Sequence, residues 1–222
     1  MKTKSHIDNR PEDPGRTVTA NESSNSCSWF LEGQLTRLRG MHENDLPALV
    51  RWLDDHRVTR YLARGTYPAS LSGAHGEHQS MQASSKDVEL AVTDAESGAC
   101  IGVTGLHELE WIARHAEFRI LIGEPTAWGR GIGTEVCQLM CCYGFEVLNL
   151  NKIYLGASEA NRGAVRSYEK SGFRAEGILR QEVYRNSTYY DVVRMSLLRH
   201  EYEDVLPSWT IADKIAELFP RG

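Results

Sequence analysis

The sequence predicts a mixed α+β domain with one central, mostly antiparallel sheet of six to seven strands flanked by helices. Runs that alternate apolar and polar residues, typical of half-buried strands, recur between stretches with helical spacing of apolar residues. Three of the strand-like runs follow one another in the middle of the chain. This order indicates antiparallel hairpins rather than a regular strand–helix–strand alternation.

The first half of the domain predicts a strand, two helices and a loop. "LEGQLTRLRG" alternates and predicts a strand. "HENDLPALVRWLDD" predicts a helix, since Asn44 or Asp45 can cap it, Pro47 suits its first turn, and apolar residues follow at helical spacing. "RVTRYL" predicts a second short helix, and residues 64–85 predict a loop followed by a weak helix.

The second half of the sequence predicts six strands and two helices. Three consecutive strands are predicted at "DVELAVTD", "CIGVTGLHELEW" and "AEFRILIG", the first two joined by a hairpin turn near Gly98. A helix is expected from Gly131 to about Asn149, followed by the strand "KIYLGAS". Asn161 can cap the next helix and Gly172 can end it, before the strands "FRAEGILRQEVYR" and "TYYDVVRMSLLR".

The composition is that of an ordinary globular protein. The chain has 222 residues, of which 41% are hydrophobic and 25% charged, which suits one domain with tails. A formal net charge of −5 gives no electrostatic reason to expect nucleic acid or an anionic membrane as a partner. No apolar run resembles a membrane span or a signal peptide, so we expect a cytoplasmic protein.

The chain divides into three predicted parts. Residues 1–27 are polar and predict a disordered leader, residues 28–205 predict one domain, and residues 206–222 predict a C-terminal tail with the pattern of a short helix. The five cysteines are odd in number and lack paired spacing, so they do not indicate a disulfide framework. Cys27 lies in the polar leader, Cys100 in a strand-like run, and Cys137, Cys141 and Cys142 on one predicted helix, where small buried hydrophobes are expected.

"AWGRGIGTEV", residues 127–136, has three glycines in five positions directly before the predicted helix. It fits neither the dinucleotide fingerprint nor the P-loop, which requires a lysine. A glycine-dense turn at a helix N-terminus exposes main-chain N–H groups where the helix dipole favours an anion. The N–H groups of residues 129–134, with Arg130 as a cation at the rim, therefore predict a pyrophosphate site. The alternative is a helix start in which glycine serves only the turn geometry.

"NRGAVRSYEKSGF", residues 161–173, resembles the N-x-x-[SA]-x-x-x-Y-E-K-x-G-F signature of the GNAT (Gcn5-related) N-acetyltransferases. The glycine turn resembles that family's acetyl-CoA pyrophosphate loop, [QR]-x-x-G-x-[GA], with Trp128 in place of Gln or Arg. Trp128 followed by "GRG", together with "EGILR" and "YYDVVRMSLLRHEY", resembles the ribosomal-protein (RimJ/RimL-like) branch. The resemblance covers residues 30–203 and implies the GNAT acyl-CoA N-acyltransferase fold.

The resemblance implies an acetyl-CoA-dependent N-acetyltransferase in which a primary amine attacks directly in a ternary complex. Tyr168 is the implied general acid for the leaving thiolate, and a core aromatic is the alternative. For the general base we choose Glu117, at the start of the strand whose end meets the cofactor. An exposed carboxylate without a role is the alternative reading of Glu117, and His107, Glu108 and Glu110 are rivals. Strand alternation is expected to place His107 and Glu108 on opposite faces, with only one in the cleft.

The resemblance also implies contacts to the cofactor. A backbone N–H near Leu121 or Ile122 is the expected oxyanion donor, and Asn161 is both helix cap and cofactor contact. Arg166 and Lys170 share one helix face and are either phosphate contacts or solvated charges. The full predicted set is Leu121, Ile122, Trp128, Gly129, Arg130, Gly131, Ile132, Gly133, Thr134, Asn161, Arg166 and Lys170.

The acceptor stays open between a small amine (amino sugar, aminoglycoside or polyamine) and a protein N-terminus. The alternative function is a non-catalytic acyl-CoA-binding sensor on the same fold. "AHGEHQ", residues 74–79, lacks the H-E-x-x-H spacing and a third ligand, so no metal is predicted. We expect acetyl-CoA and an amine as partners, no nucleic acid or membrane, and allow for a homodimer.

Overall fold

The computed structural model of the chain describes residues 29–62 and 64–220. The predicted leader, with Cys27, lies outside the described residues. The strands are β1 (Leu31–Glu32), β2 (Thr36–Gly40), β3 (Val88–Asp94), β4 (Cys100–Glu110), β5 (His115–Ile122), β6 (Lys152–Ser158), β7 (Arg174–Arg185) and β8 (Thr188–Leu198). The α-helices are α1 (Leu46–Leu53), α2 (His56–Thr59), α3 (Leu71–Ala83), α4 (Ile132–Cys142), α5 (Arg162–Lys170), α6 (Arg199–Val205) and α7 (Ala212–Leu218).

The strands form one sheet in the order β1-β2-β3-β4-β5-β6-β8-β7. Neighbouring strands are antiparallel except β5 and β6, which are parallel. The predicted mixed fold with a mostly antiparallel sheet is confirmed. The described residues form eight strands because the first strand-like run folds back into the β1–β2 hairpin, where the Gly33 N–H donates to Thr36 O at 2.8 Å.

Helices cover both faces of the sheet. The face that we call the α4 face is covered by α4, α5, α6 and α7 and carries the larger core, including Leu106 and Phe118. The opposite α3 face is covered by α1, α2 and α3 and carries a smaller core that includes Ala91 and Val103. Because side chains alternate along a strand, neighbouring residues of one strand serve the two faces in turn.

Two segments on the α4 face differ from what the sequence pattern indicates. The helix expected to reach about Asn149 is α-helical only to Cys142, and a π-helical turn follows at Tyr143–Val147. The tail after α6 buries Trp209, Ile211 and Ile215 against the same core. The tail therefore packs against the sheet domain instead of standing apart from it.

Cys137, Cys141 and Cys142 are buried free thiols and Cys100 is a half-buried one, so they serve as small hydrophobes as predicted. No described helix has both the length and the apolar character that a bilayer span requires.

Candidate active site

The parallel pairing between β5 and β6 is short, and the two strands separate after it. Glu117 and Tyr154 are the last paired residues. Beyond them β5 stays paired with β4 as far as Ile122, while β6 stays paired with β8 as far as Ser158. A gap therefore opens inside the sheet, lined along one side by β5 main chain.

The main-chain direction of β5 decides which amides face this gap. The Gly123 N–H donates to Ile101 O on the β4 side at 2.8 Å. Because main-chain groups alternate sides along an antiparallel strand, the N–H of Ile122 points into the gap and that of Leu121 points to β4. Of the two predicted oxyanion donors, the geometry favours Ile122.

The glycine turn at the start of α4 exposes its backbone. Gly129 and Gly131 have positive φ angles of 76° and 88°, a conformation that residues with a side chain rarely adopt. A Cβ added at Gly129 or Gly133 would meet no atom within 4 Å. Since α4 begins at Ile132, its first N–H groups and the positive end of its dipole lie at the same place. The turn can hold an anion against bare main chain.

Two side chains of the turn are tied to neighbouring strands. Trp128 Nε1 donates to Ile122 O at 2.8 Å, on the gap side of β5. Arg130 forms a 2.9 Å ion pair with Asp94 at the end of β3. The sequence assigned Arg130 to the rim of a phosphate site, and here its guanidinium is held by a protein carboxylate.

The buried carboxylate of Glu135, in the first turn of α4, connects the glycine turn to the β1–β2 hairpin. Glu135 accepts hydrogen bonds from the N–H groups of Gln34, Leu35 and Thr36 at 2.8–3.1 Å and from Thr36 Oγ1 at 2.8 Å. Gly33 leaves room for this carboxylate, since a Cβ there would lie 2.2 Å from Glu135 Oε1. The sequence did not single out Glu135, because its partners lie about a hundred residues away on the β1–β2 turn.

Tyr168 lies on the α4 face beside the start of the gap. Its ring packs edge-to-face on Phe118 of β5, with centroids 6.1 Å apart, and against Phe173 at 6.1 Å. Burial, and to a lesser degree the Cys137 thiol, raises the pKa of Tyr168 well above its usual value. A tyrosine in these surroundings keeps its proton at neutral pH.

The remaining predicted contacts of α5 lie at its N-terminus and on its outer face. Asn161 Oδ1 accepts from the Ala164 N–H at 3.2 Å, so Asn161 caps α5 as predicted. Arg166 and Lys170 are exposed and form no ion pair with the described residues. Both charges are available to a ligand at this edge of the domain.

Glu117 lies on the α3 face, across the sheet from Tyr168, and belongs to a charged cluster. Arg119 Nε donates to Glu117 Oε2 at 2.7 Å, and Arg119 NH2 also reaches Glu108 Oε1 at 3.1 Å. The Tyr154 hydroxyl donates to Glu108 Oε2 at 3.2 Å. The sequence did not identify Arg119, which shares a strand face with Glu117 two residues away.

A β-bulge brings two of the three rivals of Glu117, His107 and Glu108, to this cluster. Glu108 has a φ of 54°, and the register of β4 shifts between His107 and Glu110. The expectation that only one of His107 and Glu108 faces the cleft was wrong, because the bulge interrupts the alternation. Glu110 instead accepts from the Ile112 N–H at 3.0 Å and holds the β4–β5 turn.

His107 is buried opposite Glu117. Its Nδ1 lies 3.3 Å from Asp87 Oδ1, and its Nε2 lies over Gly105, where a Cβ would come within 2.5 Å. Burial, followed by the charge of Arg119, lowers the pKa of His107. The imidazole is therefore neutral at neutral pH and can accept a proton.

The histidines of "AHGEHQ" lie on α3, and His78 is buried with its Nε2 2.9 Å from Gln82 Nε2. Within residues 29–62 and 64–220, no group of three or more His, Cys, Asp or Glu side chains is arranged to hold a metal ion.

Residues 36–174 match the family model described as an acetyltransferase (GNAT) domain. Spermidine N(1)-acetyltransferase of Escherichia coli K12 is 32% identical over 185 residues, which cover 82% of this chain and 96% of that protein.

Two solved structures of a spermidine N-acetyltransferase are similar to this chain in fold and in sequence. The crystal structure of spermidine N-acetyltransferase from Vibrio cholerae in complex with CoA and spermine matches with a TM-score of 0.71 and 30% identity, over 77% of this chain and 99% of that one. A dodecameric structure of the same enzyme matches with a TM-score of 0.65 and 32% identity, over 77% of this chain and 97% of that one.

Proposed function

Since the chain belongs to the GNAT acetyltransferase family and is an acetyl-CoA-dependent N-acetyltransferase, we propose that its acceptor is a polyamine. Similarity over nearly the full length of two spermidine acetyltransferases carries this proposal. Carboxylates on the α3 face near the gap, including Glu108 and Glu117, would attract protonated amines. The narrower RimJ/RimL-like assignment, suggested by "EGILR", is the alternative and implies a protein N-terminus as acceptor.

We propose that the glycine turn binds the pyrophosphate of acetyl-CoA. The support is the open backbone at Gly129 and Gly133 and the position of the turn at the N-terminus of α4, where no side chain caps the helix and its dipole favours an anion. Because Arg130 is paired with Asp94, it would position the turn, as Trp128 does through Ile122. The contacts proposed for the turn are Trp128, Gly129, Arg130, Gly131, Ile132, Gly133 and Thr134.

Further contacts follow from the gap and from α5. The pantetheine arm would enter the gap, where the Ile122 N–H, rather than that of Leu121, would donate to the thioester oxygen as negative charge develops on it. Asn161, Arg166 and Lys170 would meet the outer part of CoA. This arrangement leaves the α3 face for the amine.

The two faces of the sheet would divide the proton transfers. The acceptor nitrogen attacks the thioester carbon from the α3 face, a C–N bond forms and the C–S bond breaks. Glu117 would take the proton from the nitrogen, directly or through water, and Tyr168 would give one to the leaving sulfur from the α4 face. His107, neutral and oriented by Asp87, is the alternative base.

Thiol release from acetyl-CoA would test the acceptor class. We expect spermidine and spermine to give the highest kcat/KM in a panel with aminoglycosides, nucleotide-linked amino sugars and N-terminal peptides. Preference for a peptide would favour the ribosomal-type alternative. Acetyl-CoA binding without turnover on any amine would favour the sensor function.

We also propose that the chain self-associates, at least as a homodimer, because a related enzyme forms a dodecamer. Light scattering of the purified chain tests this, and a monomer at all concentrations would contradict it.

A further inference from the structure

Glu89 of β3 is a half-buried carboxylate on the α3 face. It pairs in register with Gly105 of β4, which pairs with Arg119 of β5. Within the described part of the chain, no hydrogen bond or ion pair reaches the Glu89 carboxylate. Burial raises the pKa of Glu89, and the charges of Arg64 and His78 only partly offset this effect. A carboxylate removed from water without a partner is costly, so Glu89 favours a cationic ligand.

Two arginines on this side of the sheet have other partners. Arg64 forms an ion pair with Glu77 of α3, and Arg119 is held by Glu117 and Glu108. Among the described residues, no Lys, Arg or His forms an ion pair with Glu89, and the charges of Arg64 and His78 offset its burial only in part.

The position of Glu89 relative to the gap suits an elongated acceptor. It lies two strands from β5, about 10 Å at the usual strand spacing, at the level where β5 and β6 have just separated. Gly105, between them, has no side chain, and the space beside it is bordered by the Val88 main-chain O and His107 Nε2, which would lie 2.4 Å and 2.5 Å from an added Cβ. A triamine is long enough to present one nitrogen at the gap and a second one to Glu89.

We propose that Glu89 forms a second ammonium subsite, which binds a nitrogen of the polyamine other than the one acetylated. This inference rests on the proposed polyamine acceptor. It names Glu89 as the residue that makes the site prefer a polyamine to a simple amine. The bound ammonium donates charge-assisted hydrogen bonds to Glu89 and replaces the water that the carboxylate has lost.

The test compares Glu89→Gln, Glu89→Asp and the wild-type enzyme on spermidine, spermine and the monoamine butylamine. Glu89→Gln should lower kcat/KM for both polyamines by about tenfold or more, the usual cost of losing a charged hydrogen-bond partner, mainly through KM. The value for butylamine should stay unchanged, and Glu89→Asp should recover part of the polyamine activity. Glu203→Gln, on the exposed outer side of α6, is the control. It removes the same charge and should change kcat/KM neither for the polyamines nor for butylamine.

The outcomes separate the subsite from the acceptor proposal. Equal losses for polyamines and butylamine, or no loss at all, would overturn the subsite while leaving the acceptor class intact. A wild-type enzyme that acetylates no polyamine would overturn both. Calorimetric titration of spermine with CoA present gives a second readout, in which Glu89→Gln should weaken binding without lowering the melting temperature. Unchanged spermine affinity would contradict the inference.

Discussion

Tyr168 has a buried ring on the α4 face beside the first unpaired residues of β5. We expect Tyr168→Phe to lower kcat by about 10²-fold, the usual contribution of a general acid, while acetyl-CoA affinity stays unchanged. Steady-state kinetics and calorimetry measure the two effects. Tyr143→Phe, which removes a hydroxyl from the same core, is the matched control and should keep full activity. Unchanged turnover in Tyr168→Phe would remove the general-acid role.

Glu117 and His107 face each other across β4 and β5 and compete for the role of base. If Glu117 is the base, Glu117→Gln should lower kcat by about 10²-fold. His107→Gln should lower kcat much less, and its pH–rate profile should keep the fall in activity on the acidic side. The pKa of His107 lies below the ordinary 6.5, so a His107 base would lose activity only below that pH. The opposite ranking of the two variants would transfer the role to His107.

Single residues show where sequence patterns stop being informative. Motif and strand position were enough to propose Tyr168 and Glu117, because each lies at a fixed place on a regular element. The bulge at Glu108 depends on the pairing of two strands, and the ion pair that holds Arg130 depends on a turn far away in sequence. Neither can be read from local spacing.

The N-terminal turn of α4 gives a prediction at the scale of an element. Gly133→Val should weaken CoA binding by at least about tenfold, since its side chain would fill the space that an anion needs against the amides. Stability should change little, because valine fits a helix at least as well as glycine. Gly76→Val in α3, where a Cβ also meets no atom, is the control and should bind CoA normally. Normal affinity in Gly133→Val would contradict the pyrophosphate site.

The C-terminal tail gives a second prediction. Trp209 is 4% exposed in the larger core, so Trp209→Ala should lower the free energy of unfolding by about 3–5 kcal/mol. Urea unfolding measures this, and Trp111→Ala, at a position that is 51% exposed, should cost far less. Equal effects of the two changes would mean that the tail is not part of the folded domain.

Helices and strands were predictable where periodicity is strong, as in β3 to β5 and α5. The β1–β2 hairpin was not, because two residues of β1 are too few for a pattern, and Glu135 stabilises the turn from 99 residues away in sequence. The tail was predicted as a helix but not as core, since its burial depends on Tyr202 and its neighbours.

At the scale of the molecule, the sheet topology creates the site. β5 stays paired with β4, and β6 stays paired with β8, to the ends of β5 and β6. β5 and β6, the one parallel pair among the described strands, separate after Glu117 and Tyr154. The sequence predicted the antiparallel middle from its short turns. It could not predict that β8 inserts between β6 and β7, because that order is set by packing across the whole sheet.

The measurement that tests the central claim most directly is a competition in one reaction. Spermidine, an aminoglycoside and an N-terminal peptide are supplied at equal concentration with limiting acetyl-CoA, and mass spectrometry identifies the products. We predict that acetylated spermidine dominates. Predominant acetylation of the peptide or the aminoglycoside would contradict the assignment of this chain as a polyamine N-acetyltransferase.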